Sequence, residues 1–212
     1  MSPKRRLPVL VEESVGAVQA LRSEVASKFE MFVRGEASKN GKPITCTAGC
    51  ASCCYHPITI SILEGILLYR WLVKSGKWSL NLRKKLKETS DQQYGTSYEV
   101  WLLALIPCPL LDEDKRCSAY AARPLICRTY YSIGDPHYCH PHRLGANTQI
   151  VGRKEVTDTY HKEQERILRE NHLQFLTMPI GAALLLADRV CKGEIDLGEV
   201  DRILLAEYTE KA

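Results

Sequence analysis

This sequence lacks a long hydrophobic run. Its longest apolar stretch, IGAALLLA at 180–187, lies between Pro179 and Asp188, and a membrane-spanning helix needs roughly 20 such residues. The basic N-terminus is followed by only a short apolar stretch at 7–11 before two glutamates, which disfavours a secretory signal peptide. We therefore expect a cytoplasmic protein that does not contact a membrane.

Recognisable catalytic motifs are also missing. The chain has no Gly-rich phosphate loop, no nucleophile elbow and no alternation of strand and helix patterns. Its net charge is only +4, and acidic residues are interleaved through most of the chain, around the basic groups at 4–6 and 83–87. These basic groups are more typical of a solvated surface than of a nucleic-acid interface. A protein partner is the better expectation.

A disulfide framework is disfavoured by the cysteine count. The chain has nine cysteines, and an odd number cannot be fully paired. Its 212 residues are enough to bury a core without crosslinks, and the cytoplasm keeps thiols reduced. The cysteines therefore need another explanation.

Apolar spacing predicts a mainly α fold with a loop-rich centre. A Ser-x-x-Glu capping box at Ser61–Glu64 opens an apolar helix. The remaining apolar or helical patterns lie at 12–34, 79–94, 100–106, 155–175, 179–192 and 197–210.

Two segments lack this periodicity. Residues 35–43 predict a flexible linker, and 107–147 are rich in Pro, Gly and Asp. We expect three parts: an N-terminal amphipathic helix and linker (1–45), a cysteine-cluster metal-binding domain (46–145), and a C-terminal helical segment packing on it (146–212).

The stretch CTAGCASCC at 46–54 places four thiols within nine positions. Its spacers are small, so the sulfurs can converge whether the segment is a helix or a loop around a central object. More soft ligands follow in the irregular segment: Cys108, Cys117, Cys127 and Cys139, with His137, His140 and His142. A segment poor in core residues and rich in such ligands indicates organisation by a metal.

The spacing favours an iron–sulfur cluster, [4Fe-4S], with zinc as the alternative. Structural zinc sites usually combine two close cysteine pairs, whereas only the first half of this set is closely spaced. Several ligands from one tight segment, closed by a distant cysteine, are typical of iron–sulfur clusters. Because neighbouring side chains diverge, we do not expect Cys53 and Cys54 to bind one mononuclear ion. Cys191 is expected to be a core thiol.

At this point the pattern resembles a known family, the YkgJ-like cysteine-cluster proteins. This is a family of proposed zinc- or iron-chelating domains that includes the flagellin lysine N-methylase. The similarity covers about residues 46–131 and is carried by three motifs: Cys46-x3-Cys50-x2-Cys53-Cys54, Pro107-Cys108-Pro109-Leu110, and Cys117-x2-Tyr120-x2-Arg123-Pro124-x2-Cys127-Arg128.

The resemblance implies a chelating domain with ligands from all three motifs. By position, the implied metal ligands are Cys46, Cys50, Cys53, Cys54, Cys108, Cys117 and Cys127; the family pattern gives no support for Cys139 or the three histidines. Arg123 and Arg128 are placed to donate hydrogen bonds to thiolates or sulfides. Tyr120 and Tyr130 are expected to serve packing, and His56 to face solvent.

Three functions remain open from the sequence. The first is a metal-binding accessory or interaction protein, favoured because no substrate-pocket motif is present. The second is an iron–sulfur-dependent protein-modifying enzyme, similar to the lysine N-methylase. The third is a zinc module that binds nucleic acid. The sequence assigns no catalytic residue.

Overall fold

The computed structural model describes residues 8–46, 49–93, 96–133, 139, 149–150, 153–170 and 175–209, and this part of the chain is mainly α-helical, as predicted. The helices that it describes are α1 Val9–Asn40, α2 Ile62–Lys74, α3 Leu80–Gln93, α4 Tyr98–Ala104, α5 Leu125–Arg128, α6 Arg153–Glu170, α7 Ile180–Lys192 and α8 Leu197–Thr209. The short strands are β1 Thr59–Ser61, β2 Ser132–Ile133, β3 Gln149–Ile150 and β4 Thr177–Pro179. Within these residues, no helix combines the length and apolarity needed to cross a bilayer.

The first helix is longer than predicted. The linker prediction for 35–43 is wrong over 35–40, because α1 continues to Asn40 and ends at Gly41, whose φ of 61° closes the last turn. Burial explains the extension. Phe29, Val33 and Ala37 form a small apolar cluster with Ile133, so the last turns of α1 are held by the segment that follows α5.

The main core is built around α7, which packs against α2 and α3. Two glycines allow the close approach: a Cβ on Gly65 would lie 2.9 Å from the Ala183 carbonyl oxygen, and one on Gly181 would lie 2.9 Å from the Leu86 carbonyl oxygen. β1 pairs antiparallel with β4, so two short strands that each lead directly into a helix are joined. The chain after the cysteine cluster is thereby anchored to the C-terminal half.

The three parts of the chain share one apolar core. Val15 of α1, Leu63 of α2 and Leu184 of α7 belong to the same buried cluster, and α1 packs on both α2 and α6. Arg70 of α2 also donates two hydrogen bonds to Glu12 of α1, at 2.8 and 2.6 Å. The division of the chain at residues 45 and 145 stays a prediction.

Candidate metal centre

Six cysteine side chains from two distant segments line one cavity. They are Cys50, Cys53, Cys54, Cys108, Cys117 and Cys127. Apolar side chains, among them Ile58 and Ile180, form part of the same wall. The cavity volume is about 40 Å³, larger than the roughly 10–15 Å³ that one water molecule occupies, so there is room for a bound ion or a small group.

The first segment approaches the cavity as a loop and not as an α-helix. Gly49 has a φ of 99°, a left-handed conformation that glycine adopts without strain, and Ser52–Tyr55 form a single 3₁₀ turn. The Cys54 N–H donates to the Ala51 carbonyl at 2.9 Å. The tight turn directs the adjacent Cys53 and Cys54 into the same cavity, although it does not show that both bind one ion.

A backbone hydrogen bond joins the two cysteine segments. The Cys108 N–H donates to the Cys54 carbonyl at 2.8 Å. Beyond it the chain folds back as a tight turn in which Leu111 pairs with Cys117, so that Cys108 and Cys117 face the same space. This order comes mostly from turns, because residues 107–117 are predominantly irregular and contribute few side chains to the core.

Backbone N–H groups point at two of the sulfurs. The Leu110 N–H donates to the Cys108 sulfur, and the Ala119 N–H donates to the Cys117 sulfur; each hydrogen bond favours the thiolate. Such contacts stabilise negative charge on sulfur and are typical of metal-bound thiolates.

The position of Cys127 depends on a buried carboxyl group. Oε1 of Glu64 accepts a hydrogen bond from the Leu125 N–H at 2.9 Å, at the start of α5. The predicted capping box is therefore only half formed: Ser61 Oγ accepts from the Glu64 N–H at 3.3 Å, but the Glu64 carboxyl group leaves its own helix to reach α5. This group is 3% exposed, and burial raises its pKa.

Cys46, the seventh predicted ligand, is not among the residues that line the cavity. Its sulfur accepts a hydrogen bond from the Ser132 N–H at 3.2 Å and lies 3.9 Å from the Tyr130 carbonyl oxygen. Cys139 is buried at 3% exposure, and its carbonyl oxygen lies 2.9 Å from His56 Nε2. The histidines of the sequence prediction, 137, 140 and 142, lie outside the described residues.

The expectation that His56 faces solvent is wrong. The side chain is 7% exposed, and its Nε2 also lies 3.2 Å from the hydroxyl oxygen of Tyr130. Tyr130 in turn lines the cavity. His56 therefore connects the cluster loop to the segment around Cys139, an arrangement that no local sequence pattern indicates.

Four of the cavity thiols, Cys54, Cys108, Cys117 and Cys127, have raised pKa values and are weak acids in the absence of a cation. Burial raises the pKa of Cys108 to about 12 and those of Cys117 and Cys127 above the ordinary thiol value. For Cys54, a hydrogen bond with Cys53 and burial both raise the pKa. These thiols stay protonated at neutral pH until a metal ion replaces the protons.

The two predicted arginines occupy different positions. Arg123 lines the cavity, and its guanidinium carbon lies 3.7 Å from the centre of the Tyr120 ring. Its charge lowers the pKa of Cys117 and Cys127, against the larger effect of burial. Arg128 instead donates to the carbonyls of Arg123 and Ala121, at 3.0 and 2.6 Å. Donation from either arginine to a metal-bound sulfur stays a prediction.

Cys191 lies apart from this site. It is half-buried on α7, packed against the core, and is not among the residues that line the cavity. None of the nine cysteines forms a disulfide bond in the described residues.

The donor set fits a soft metal ion, although its coordination geometry is not preformed. Thiolates suit zinc and iron–sulfur centres, and the cavity supplies six of them in apolar surroundings. Among the described residues, no group of three or more His, Cys, Asp or Glu side chains is already arranged to hold a metal ion. The fold therefore brings the sulfur ligands together and partly removes them from water, and it does not fix their coordination geometry.

Fold and site together define a helical cysteine-cluster protein. The sequence profile of the CxxCxxCC family, described as "Putative zinc- or iron-chelating domain", matches residues 45–157, which is more than half of the 212 residues. The chain belongs to this family. The match extends past the predicted end at 131, so that Cys139 also lies within it. No curated protein and no solved structure gives a significant match.

Proposed function

We propose that the cavity binds an iron–sulfur cluster, [4Fe-4S], with zinc as the alternative occupant. The observation that carries this proposal is the convergence of six thiols from two segments on one cavity. A mononuclear zinc site uses four ligands, so the set exceeds what one zinc ion needs. An iron–sulfur cluster would supply one-electron transfer, or an iron atom acting as a Lewis acid.

The surroundings would stabilise such a centre electrostatically. A centre with four thiolate ligands carries net negative charge, and the charge of Arg123 together with the N–H groups of Leu110 and Ala119 offsets it. Apolar side chains in the wall limit the contact of the sulfurs with water. A cytoplasmic location, where thiols stay reduced, is proposed together with this centre.

Metal and acid-labile sulfide analysis of protein purified without oxygen tests the occupant. A [4Fe-4S] centre predicts about four iron atoms and about four sulfide ions per chain. One zinc ion per chain without sulfide would refute the cluster and support the alternative. If neither iron nor zinc is present in a stoichiometric amount, metal binding at the cavity is refuted.

We propose further that the protein acts as an accessory or interaction protein. Support comes from α4, the helix that leads into Cys108, where Tyr98, Val100 and Leu103 are 58%, 57% and 67% exposed. Exposed apolar side chains on one short helix are typical of a docking surface. A Val100→Ser/Leu103→Ser variant should retain its metal and recover fewer partners in affinity capture than the wild type. Identical recovery would refute this role for α4.

A protein-modifying enzyme is the second candidate. One observation favours it: Tyr120 lines the cavity and is 40% exposed, so the cavity lies beside the protein surface, where a substrate side chain can approach. Incorporation of methyl groups into lysine side chains of a protein substrate would support this candidate. Its absence with the metal-loaded protein would refute a methylase activity.

The described residues give little support to the alternative of a zinc module that binds nucleic acid. In the basic stretch of α3, Arg83 lies 3.6 Å from Asp188 and Lys84 lies 3.7 Å from Glu88. Lys85 donates to the Leu111 carbonyl. Much of this charge is therefore engaged within the protein, which leaves a weaker electrostatic surface for phosphates.

A further inference from the structure

Three arginine side chains converge on the turn that borders the cavity. This turn, 120–123, presents four consecutive carbonyl oxygens, and each accepts a hydrogen bond from a guanidinium group. The pairs are Arg123 Nε to Tyr120 at 3.2 Å, Arg128 Nη2 to Ala121 at 2.6 Å, Arg22 Nη1 to Ala122 at 3.5 Å and Arg128 Nε to Arg123 at 3.0 Å.

These guanidinium groups are neighbours. Four successive residues span roughly 11 Å at most, and all three groups are bonded to that one turn. They are also close enough for the charges of Arg22 and Arg123 to act on Arg128. The three side chains are half-buried, so water screens this repulsion only in part.

The described residues provide no carboxylate partner for this cluster. None of the ion pairs among them involves Arg22, Arg123 or Arg128, and the hydrogen bonds of these side chains go to backbone carbonyls. Glu64 feels the charge of Arg22, but its carboxyl group accepts from the Leu125 N–H instead.

We propose that Arg22, Arg123 and Arg128 form an anion-binding site that takes the carboxylate or phosphate group of a small-molecule ligand. A guanidinium group has five N–H donors in a planar fork that matches either oxyanion, and the carbonyls of the turn occupy only some of them. Because Arg123 also lines the thiol cavity, the anion binds next to the proposed metal centre.

Anion titration of the protein as purified, with metal content measured in the same sample, tests the proposal. Inorganic phosphate, acetate and chloride are compared by isothermal titration calorimetry at constant ionic strength. Phosphate or acetate should bind more tightly than chloride. The tighter of the two identifies a phosphate- or a carboxylate-bearing ligand.

Arg22→Gln is the most informative variant, because Arg22 is not among the cavity-lining residues. The dissociation constant of the tighter anion should rise about tenfold, as expected for one lost charge-assisted hydrogen bond. Arg22→Lys keeps the positive charge but lacks the planar guanidinium donors, so its affinity for the same anion should fall several-fold. Arg202→Gln, at an exposed arginine on α8, should bind like the wild type.

The proposal is overturned if neither oxyanion binds more tightly than chloride, or if folded Arg22→Gln retains wild-type affinity. Should Arg22→Gln fail to fold by circular dichroism, wild-type affinity in Arg22→Lys overturns it instead. The proposal does not rest on the proposed function, since metal content and anion affinity are separate readouts.

Discussion

Replacement of Glu64 should show that one buried side chain supports both the helical core and the metal site. Glu64 lies on α2, yet its Oε1 accepts the Leu125 N–H at 2.9 Å, two residues before Cys127. The side chain is 3% exposed, so bulk water does not reach this acceptor. Glu64→Ala therefore leaves a buried N–H without a partner and removes the atoms that hold α5 against α2.

The expected loss of unfolding free energy for Glu64→Ala is about 2–4 kcal/mol. A buried donor without a partner costs about 1–3 kcal/mol, and each lost buried methylene adds about 0.8 kcal/mol. Glu64→Gln keeps an acceptor oxygen at nearly the same place. Because the Leu125 N–H keeps an acceptor, the amide should cost less than about 1 kcal/mol.

Urea denaturation followed by circular dichroism, with metal content of the same preparations, is the assay. Glu64→Ala should unfold at lower urea and carry less metal, while Glu64→Gln should resemble the wild type in both. Glu88→Ala, which removes a 59% exposed carboxylate, is the control and should change stability by less than about 0.5 kcal/mol. An unchanged urea midpoint for Glu64→Ala would refute the reasoning. Equal losses of stability in Glu64→Gln and Glu64→Ala would refute it as well.

Three further predictions follow from the same structure. Burial raises the pKa of Cys108 to about 12, so above about pH 9 the unfolded thiol ionises while the folded thiol stays protonated. The metal-free protein should then lose about 1.4 kcal/mol of stability per pH unit from this thiol between about pH 9 and 12; thermal denaturation with a flat profile there would contradict the assignment. Gly65→Ala should lower stability by roughly 1–3 kcal/mol, because its Cβ would lie 2.9 Å from the Ala183 carbonyl oxygen; an unchanged Tm would show that α2 and α7 are not so closely packed. Cys127→Ser should lose metal and Cys191→Ser should retain it, since Cys127 lines the cavity and Cys191 does not; equal metal content in elemental analysis would place the site elsewhere.

The helices could be predicted because their cause is local. The helices predicted from apolar spacing over α2, α7 and α8, and from the basic, exposed segment of α3, agree with the observed elements to within a few residues, since helical patterns are local. The end of α1 could not be predicted. Residues 35–40 look like a linker by composition, but Ala37 is buried against Ile133, nearly a hundred positions away.

The thiols of the site could be predicted as a set, and their supporting groups could not. Cysteine spacing indicates ligands directly, and six of the seven predicted residues line the cavity. Cys46 turns away because Ser132 binds its sulfur. Arg22 reaches a carbonyl at residue 122, and no local pattern signals a contact over that distance. For Glu64 the sequence offers one signal, because a glutamate inside the apolar run of α2 indicates a buried polar contact.

The central claim is that sulfurs from both cysteine segments close around one metal centre. Anomalous diffraction from crystals of the metal-loaded protein tests it most directly, because it locates the metal without assuming its identity. The account predicts anomalous density inside the cavity, with sulfurs of Cys50–Cys54 and of Cys108–Cys127 both at about 2.3 Å from metal atoms. Metal bound by one segment alone, or at a position outside the cavity, would contradict it.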